Sequence, residues 1–388
     1  MAWKTRDVSE QRVRFAVRAA SGAESMTRLC EEFEISRPTG YVWLKRYRGC
    51  ERMEELKEKS RRPHHSPRRT APEVEERVKK LREKYPDWGA EKLAKLLEQE
   101  GVRLTPITVH RILLRQGLVG AEDRHRAATQ RFERASPNEL WQMDFKGMAK
   151  QHSDCVPLVI LDDHSRYLLG LFASAGTDAE GVCRNLEAVF RESGVPEGML
   201  MDHGTPWWNM KTESGWTWLT VWLMKQGVRI YLSGYRHPQT QGKIERCNGS
   251  LQAALRKRPK DGRQSWQNWF DAYREEYNHV RPHEALAMAV PAERWRPSAR
   301  CFEPEPKPWD YPDPRWVRRV DQNGSISIDG SRCFVSRALV DEAVELQLLE
   351  ETILVWFCRT LICEFNLRTK ESSLLNFGQF DRARTQGL

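Results

Sequence analysis

Leu140–Gly147 reads LWQMDFKG and Gly198–Trp207 reads GMLMDHGTPW. Each is a short apolar run with an aspartate at its end, Asp144 in the first and Asp202 in the second, and such runs bounded by turn-forming residues read as buried strands. Working outward, Leu140–Phe145 is a first strand, Val156–Leu161 a second and Tyr167–Ala173 a third, the last two joined by a turn over Asp162–Arg166. Asp178–Ser193 has the spacing of an amphipathic helix, Gly198–Asp202 is a fourth strand, Trp216–Gln226 a helix and Val228–Leu232 a fifth strand. Helices over roughly Thr240–Lys257 and Ser265–Asn278 follow. A hairpin succeeded by alternating strands and helices predicts a mixed α/β sheet over residues 138–296.

Upstream, Ser9–Arg48 reads as three short helices: one through Val13, Phe15 and Val17, one through Leu29 and Phe33, and one from Ser36 to Tyr47 with Ser36 as its N-cap. The tight turn at Glu34 and Ile35 makes the last two a helix-turn-helix, whose second helix enters a DNA major groove. On it Arg37, Thr39, Gly40, Tyr41, Lys45 and Arg46 are placed toward DNA, with Val42, Trp43 and Leu44 inward. Residues 1–59 are thus one DNA-binding domain and 72–120 a second, with helices near Glu73–Lys84, Ala90–Glu100 and Thr105–Gln116. Thr105–Pro106 supplies a cap and first turn, and Thr108, Arg111 and Arg115 fall on the outward face. The linker 60–71 lies within SRRPHHSPRRTAP (Ser60–Pro72) and carries Arg61, Arg62, Arg68 and Arg69. It reads either as a tether or as an arm that follows DNA.

Residues 121–137 form a second linker, and 297–315, containing PEPKPWDYPDP (Pro304–Pro314), a third. Beyond it lie short strands at Trp316–Val320, Ser325–Ile328, Cys333–Ser336, Val344–Leu349, Ile353–Phe357 and Leu361–Phe365, with a turn at Asp329–Gly330. They predict a small β-barrel over 316–370, leaving 371–388 as a tail.

The 388 residues leave ample length for a hydrophobic core, and the nine cysteines form no CxxC pair, which suits free thiols in a reducing compartment. The opening MAWKTRDVSEQRVRF lacks an apolar signal core, and no apolar stretch is long enough to span a bilayer. A cytoplasmic, nucleoid-associated protein without membrane contact is expected. Net charge is +9, and residues 1–135 carry 31 Lys and Arg against 21 Asp and Glu, so the whole excess is N-terminal. That asymmetry suits phosphate neutralisation and equally a solvated helical surface.

A third acid, Glu245, lies in HPQTQGKIERCNGSL (His237–Leu251), where Ile244, Cys247, Leu251 and Leu255 form an inward stripe and Glu245, Asn248 and Gln252 share an adjacent face. These three acidic segments, with YNHVRPHEAL (Tyr277–Leu286), resemble the integrase core of retroviral integrases and bacterial insertion-sequence transposases. Together with the helix-turn-helix units, the resemblance covers most of the chain up to about Arg296. It implies a multidomain fold: all-α helix-turn-helix units, an α/β ribonuclease H-like integrase core and a small C-terminal β-barrel. It also places the family's DDE triad on Asp144, Asp202 and Glu245.

In such a sheet, of order 3-2-1-4-5, the first and fourth strands are neighbours, which sets Asp144 beside Asp202. Three converging carboxylates suit hard divalent cations. Two Mg²⁺ ions per site, with Mn²⁺ substituting, would activate a water or a 3′ hydroxyl on one side of a phosphate and stabilise the leaving oxygen on the other. Asp202 and Glu245 are 43 positions apart, wider than in the family's commonest form. The extra length is assigned to a surface insertion at WWNMKTESGWTW (Trp207–Trp218). Asp162 and Asp163, at a hairpin turn, read as structural.

His237, Gln239, Gln241, Lys243 and Arg246 flank the start of the catalytic helix, a stretch that lies beside bound DNA in the family, and Gln252 extends toward it. Arg281, Pro282 and His283 either cap the following helix or approach the site. The expected activity is that of a DNA transposase working as at least a dimer. It would bind double-stranded terminal repeats and target DNA, hydrolyse phosphodiester bonds and join 3′ ends to the target. A non-catalytic DNA-binding regulator and a nuclease of the same fold are the competing readings.

Overall fold

The computed structural model describes residues 8–49, 70–119, 133–147, 155–212, 214–232, 241–256, 265–328 and 330–374. Arg61, Arg62, Arg68, Arg69, His237, Gln239 and Asp329 lie outside the described residues. The chain divides into two compact units, Met1–Ala71 and Pro72–Leu388.

In the first unit α1 (Val8–Ser21), α2 (Met26–Glu32) and α3 (Arg37–Arg48) close on Phe15, Leu29, Cys30 and Leu44. Glu34 takes a left-handed φ of 54° in the turn between α2 and α3. The Ser36 hydroxyl then accepts the Thr39 N–H at 3.4 Å, and Pro38 sits in the first turn, where its missing N–H costs nothing. Two expected faces are reversed. Gly40, assigned to DNA, is buried: a Cβ there would lie 2.7 Å from Cys30 Sγ and 2.9 Å from the Phe15 ring, so the bare backbone is what lets α3 approach its neighbours. Val42, assigned inward, is 50 % exposed, because a helix pinned at Gly40 and Leu44 turns position 42 to the opposite side.

The second unit begins with α4 (Pro72–Lys84), α5 (Ala90–Gln99) and α6 (Pro106–Arg115), packed on Val78, Trp88, Leu93, Leu97, Val109 and Ile112. Thr105 caps α6 through the Thr108 N–H at 3.3 Å. Buried Arg82 ties the bundle's ends together, donating to the carbonyls of Trp88 at 2.7 Å and Leu118 at 3.2 Å.

Next comes a five-stranded sheet of β1 (Trp141–Phe145), β2 (Val156–Asp162), β3 (Leu168–Ser174), β4 (Gly198–Met201) and β5 (Arg229–Leu232), in the order β3-β2-β1-β4-β5. The first three strands are antiparallel, and β4 runs parallel to both β1 and β5. Strand side chains alternate between two covered faces. Leu158, Ile160, Met199 and Met201 pack with α7 (Ala179–Ser193) and α8 (Trp218–Lys225). Val159, Leu161, Leu168 and Leu171 pack with α9 (Gly242–Leu255) and α10 (Trp266–Glu275). The helix expected to reach Asn278 gives way to a π-turn over Glu276–Val280.

The C-terminal strands do not close into the expected barrel. β6 (Val317–Arg319), β9 (Ala343–Leu349), β10 (Thr352–Phe357), β11 (Thr360–Asn366) and β12 (Ser372–Leu374) form an open sheet of order β12-β11-β10-β9-β6, beside a separate hairpin of β7 (Ser325–Ile328) and β8 (Ser331–Phe334). Val344, Leu346, Ile353, Val355 and Phe365 belong to the same apolar cluster as α7 and α8. The sheet therefore buries a face in the cluster shared with α7 and α8 instead of against itself. The proline-rich segment is docked as well: the Tyr311 hydroxyl donates to the Ala343 carbonyl at 2.8 Å and accepts the Cys358 N–H at 3.0 Å.

Candidate active site

The parallel register pairs Trp141 with Met199 and Gln142 with Leu200, so Asp144 and Asp202, each two residues further, come out at the same level. Asp144 has its carboxyl pushed up to about 6, first by burial and then by the charge of Asp202; hydrogen bonds from Asn248 and the Phe145 backbone oppose the shift, and Glu245 adds the smallest push. Asn248 Nδ2 donates to Asp144 Oδ2 at 2.9 Å. Asp202 Oδ1 accepts the Gly204 N–H at 2.9 Å and the Trp207 indole N–H at 2.8 Å. A Cβ at Gly204 would stand 2.9 Å from the same oxygen, so only glycine leaves that carboxylate undisturbed. Glu245, in the first turn of α9, is exposed. Among the described residues no three His, Cys, Asp or Glu lie close enough to hold one ion. The structure thus joins Asp144 to Asp202 and leaves Glu245 further off.

Gln142, buried in mid-strand, anchors the start of α9. Its Oε1 accepts the Ile244 N–H at 3.1 Å while its Nε2 donates to Asp163 Oδ1 at 2.8 Å. Asp163 is fully buried, accepts the Arg134 N–H at 2.9 Å and is paired with the Lys243 ammonium. Lys243, expected at DNA, is therefore turned into the protein, because a carboxylate without solvent needs a counter-charge. Asp162 serves its own turn, accepting from the Ser165 N–H, the Ser165 hydroxyl and the Asn138 N–H at 2.6–2.8 Å. The visible hint of this network in the sequence is a glutamine inside an apolar strand.

Arg246 on α9 is exposed and Gln252 half-buried; Gln241 stands at the N-cap of α9 without a side-chain cap bond. On α3, Arg37, Thr39, Tyr41, Lys45 and Arg46 are all exposed, with Thr39 engaged by Ser36 and Arg46 lying 4.8 Å over the Trp43 ring. On α6, Arg115 is paired with buried Glu75 at 2.7 Å and the Thr108 hydroxyl is bonded to Thr105, whereas Arg111 is exposed between Ile107 and Leu114. Buried Arg281 is a brace: it pairs with Asp87 at 3.0 Å, donates to Ser250 Oγ on α9 at 3.3 Å and lies 5.5 Å over the Trp88 ring. It fastens the second helix-turn-helix unit to the helix that carries Glu245. His283, edge-on to Tyr277, is pushed down to about 3 by burial and then by the charges of Arg281 and Lys92, and is therefore neutral.

Comparison with known proteins finds family models along much of the chain. A helix-turn-helix domain matches residues 11–64, a homeodomain-like domain residues 39–113, and two integrase core domains residues 134–238 and 226–291. The chain is 25% identical over 223 residues to the insertion element IS407 uncharacterized 31.7 kDa protein of Burkholderia multivorans, spanning 53% of this chain and 74% of that one. Among solved structures, the HTLV-2 integrase catalytic core domain in complex with magnesium aligns at 14% identity and a TM-score of 0.33, over 41% of this chain and 97% of that one. The simian T-cell lymphotropic virus intasome in complex with PP2A regulatory subunit B56 gamma aligns at 15% and 0.37, over 73% and 97%.

The chain thus carries helix-turn-helix matches ahead of integrase core matches. With the insertion-element relative, these are the features of an insertion-sequence transposase of the integrase-like kind. No described helix is long and apolar enough to cross a membrane.

Proposed function

We propose that the chain binds the terminal repeats of a mobile element, cuts phosphodiester bonds there and joins the 3′ ends to target DNA, with Asp144, Asp202 and Glu245 as the catalytic carboxylates. The observation that carries the reading is the adjacency of Asp144 and Asp202 at the ends of parallel strands, with Asp144 destabilised as an anion by burial and by its neighbour. A divalent cation relieves that repulsion, and the donors are carboxylate oxygens, the set that Mg²⁺ and Mn²⁺ favour. When bound, a pair of such ions supplies Lewis-acid activation of the attacking oxygen and stabilisation of the leaving one.

The protein's own groups provide the alignment. Asn248 fixes the Asp144 rotamer, Gly204 leaves room for Asp202, and Gln142 sets the height of the first turn of α9, from which Glu245 reaches the pair when DNA is engaged. Arg37, Tyr41, Lys45 and Arg46 on α3, with Arg111 on α6, contact DNA, and Arg246 and Gln252 lie nearer the scissile strand. Two element ends must be held together, so the active species is at least a dimer.

The deciding experiment is strand transfer on labelled element-end DNA with Mg²⁺ or Mn²⁺, comparing the wild type with Asp144→Asn and Glu245→Gln. Both variants should bind ends and form no joined product. Specific binding without joining by the wild type would favour a regulator, and cutting without joining a nuclease.

A further inference from the structure

Trp207 opens the aromatic stretch that reads in sequence as a surface insertion, yet it is only 1 % exposed. Its indole N–H reaches the Asp202 backbone carbonyl at 3.1 Å and Asp202 Oδ1 at 2.8 Å. Its ring stacks on that of Phe145, with centroids 5.4 Å apart and planes 8° from parallel, and Phe145 directly follows Asp144. One side chain thus bonds the second aspartate and packs against the residue next to the first. The backbone of Trp207 is tied as well: the Thr217 hydroxyl, at the N-cap of α8, donates to the Trp207 backbone carbonyl at 3.3 Å. Trp208 packs edge-on to Trp216 at 5.1 Å, and a Cβ at Gly215, whose φ is +72°, would lie 2.0 Å from the Trp208 ring.

We infer that Trp207 is a positioning residue, which rests on the proposed function: it locks Asp202 with Oδ1 occupied by two donors and Oδ2 presented to the metal. Among the described residues no donor engages Asp202 Oδ2, so that oxygen keeps its lone pairs. A phenylalanine could keep the stack on Phe145, but it has no N–H to hold the carboxylate. The aromatic insertion between the second and third acids is then the mount for this clamp. Groups that orient a metal ligand typically change affinity 10- to 100-fold when removed.

The test is Mn²⁺ binding to the full chain without DNA, titrated by the EPR signal of free Mn²⁺. Wild type, Trp207→Phe, Asp144→Asn and Trp222→Phe are compared, the last removing a tryptophan that stacks on Phe190 instead. The expected result is binding that Asp144→Asn abolishes, Trp207→Phe weakens about tenfold or more and Trp222→Phe leaves unchanged. A purely structural role would lower the unfolding temperature of Trp207→Phe without moving the affinity of the folded protein. Should the phenylalanine variant fail to fold, benzothienylalanine at position 207 keeps the bicyclic ring and removes only the N–H. Asp144-dependent binding that stays within twofold of wild type on losing this N–H overturns the inference and leaves the proposed function standing. Wild-type protein without Asp144-dependent binding overturns both.

Discussion

His283 gives the protein a calculable sensitivity to acid. Burial and the neighbouring Arg281 and Lys92 charges lower its pKa from 6.5 to about 3, so the fold accepts only the neutral ring. The unfolded chain accepts a proton near 6.5. Stability from this residue is therefore complete above about pH 6.5 and is lost progressively as pH falls toward 3, because protonation is available only to the unfolded chain. At pH 5 the unfolded state gains about 1.5 pH units of proton binding that the folded state lacks, which is about 2 kcal/mol. His283→Gln removes the titration. It also loses ring packing against Tyr277, but that cost is the same at every pH and cancels in the comparison. Urea unfolding followed by tryptophan fluorescence at pH 7.5 and pH 5 should show the wild type losing about 2 kcal/mol more than His283→Gln. Parallel losses in the two proteins would refute the reasoning.

Three further perturbations test other joints. Arg281→Met removes the guanidinium from the Asp87 carboxylate, itself only 14% exposed, and cuts the tie to Ser250, and should cost about 1–3 kcal/mol in thermal unfolding; a loss below about 0.5 kcal/mol would mean that the brace is not there. Gly204→Ala drives a methyl onto Asp202 Oδ1 and should reduce strand transfer on the order of 10- to 100-fold with end binding unchanged, and full activity would show that this carboxylate need not keep its rotamer. Gly40→Ala overpacks the crossing of α3 against Cys30 and Phe15, for about 1–3 kcal/mol of destabilisation and weaker end binding; a variant as stable as wild type would contradict the buried assignment.

Much of this architecture was legible in the chain because it depends on local rules. The apolar run Leu158–Leu161, the caps at Ser36 and Thr105 and the acids closing two apolar runs are each written within a few residues, and these marked the strands, the starts of α3 and α6 and the aspartate pair. Periodicity, however, reports that a residue faces something and not what it faces. Val42 and Gly40 both fit a helical pattern, and only the crossing of three helices decided which was buried. Lys243 looked like a DNA contact until the fold brought a buried aspartate from 80 residues away to its ammonium.

The largest differences arose where a surface had two ways to be covered. The strand pattern after Pro314 is equally good for a closed barrel and for an open sheet, and the choice fell to the apolar side of α7 and α8, which offered a face to bury against. The tryptophans after Asp202 carry no periodic signal at all. The place of Trp207 beside Asp202 depends on the return of the chain at Thr217 and on the ring of Phe145 from a different strand. The sequence by itself determined most of the elements, the two three-helix units and the two aspartates that close neighbouring strands, because those follow from neighbours a few residues apart. Only the tertiary structure decided which side chains hold those acids, since each of those contacts joins segments whose separation along the chain carries no information about their distance in space.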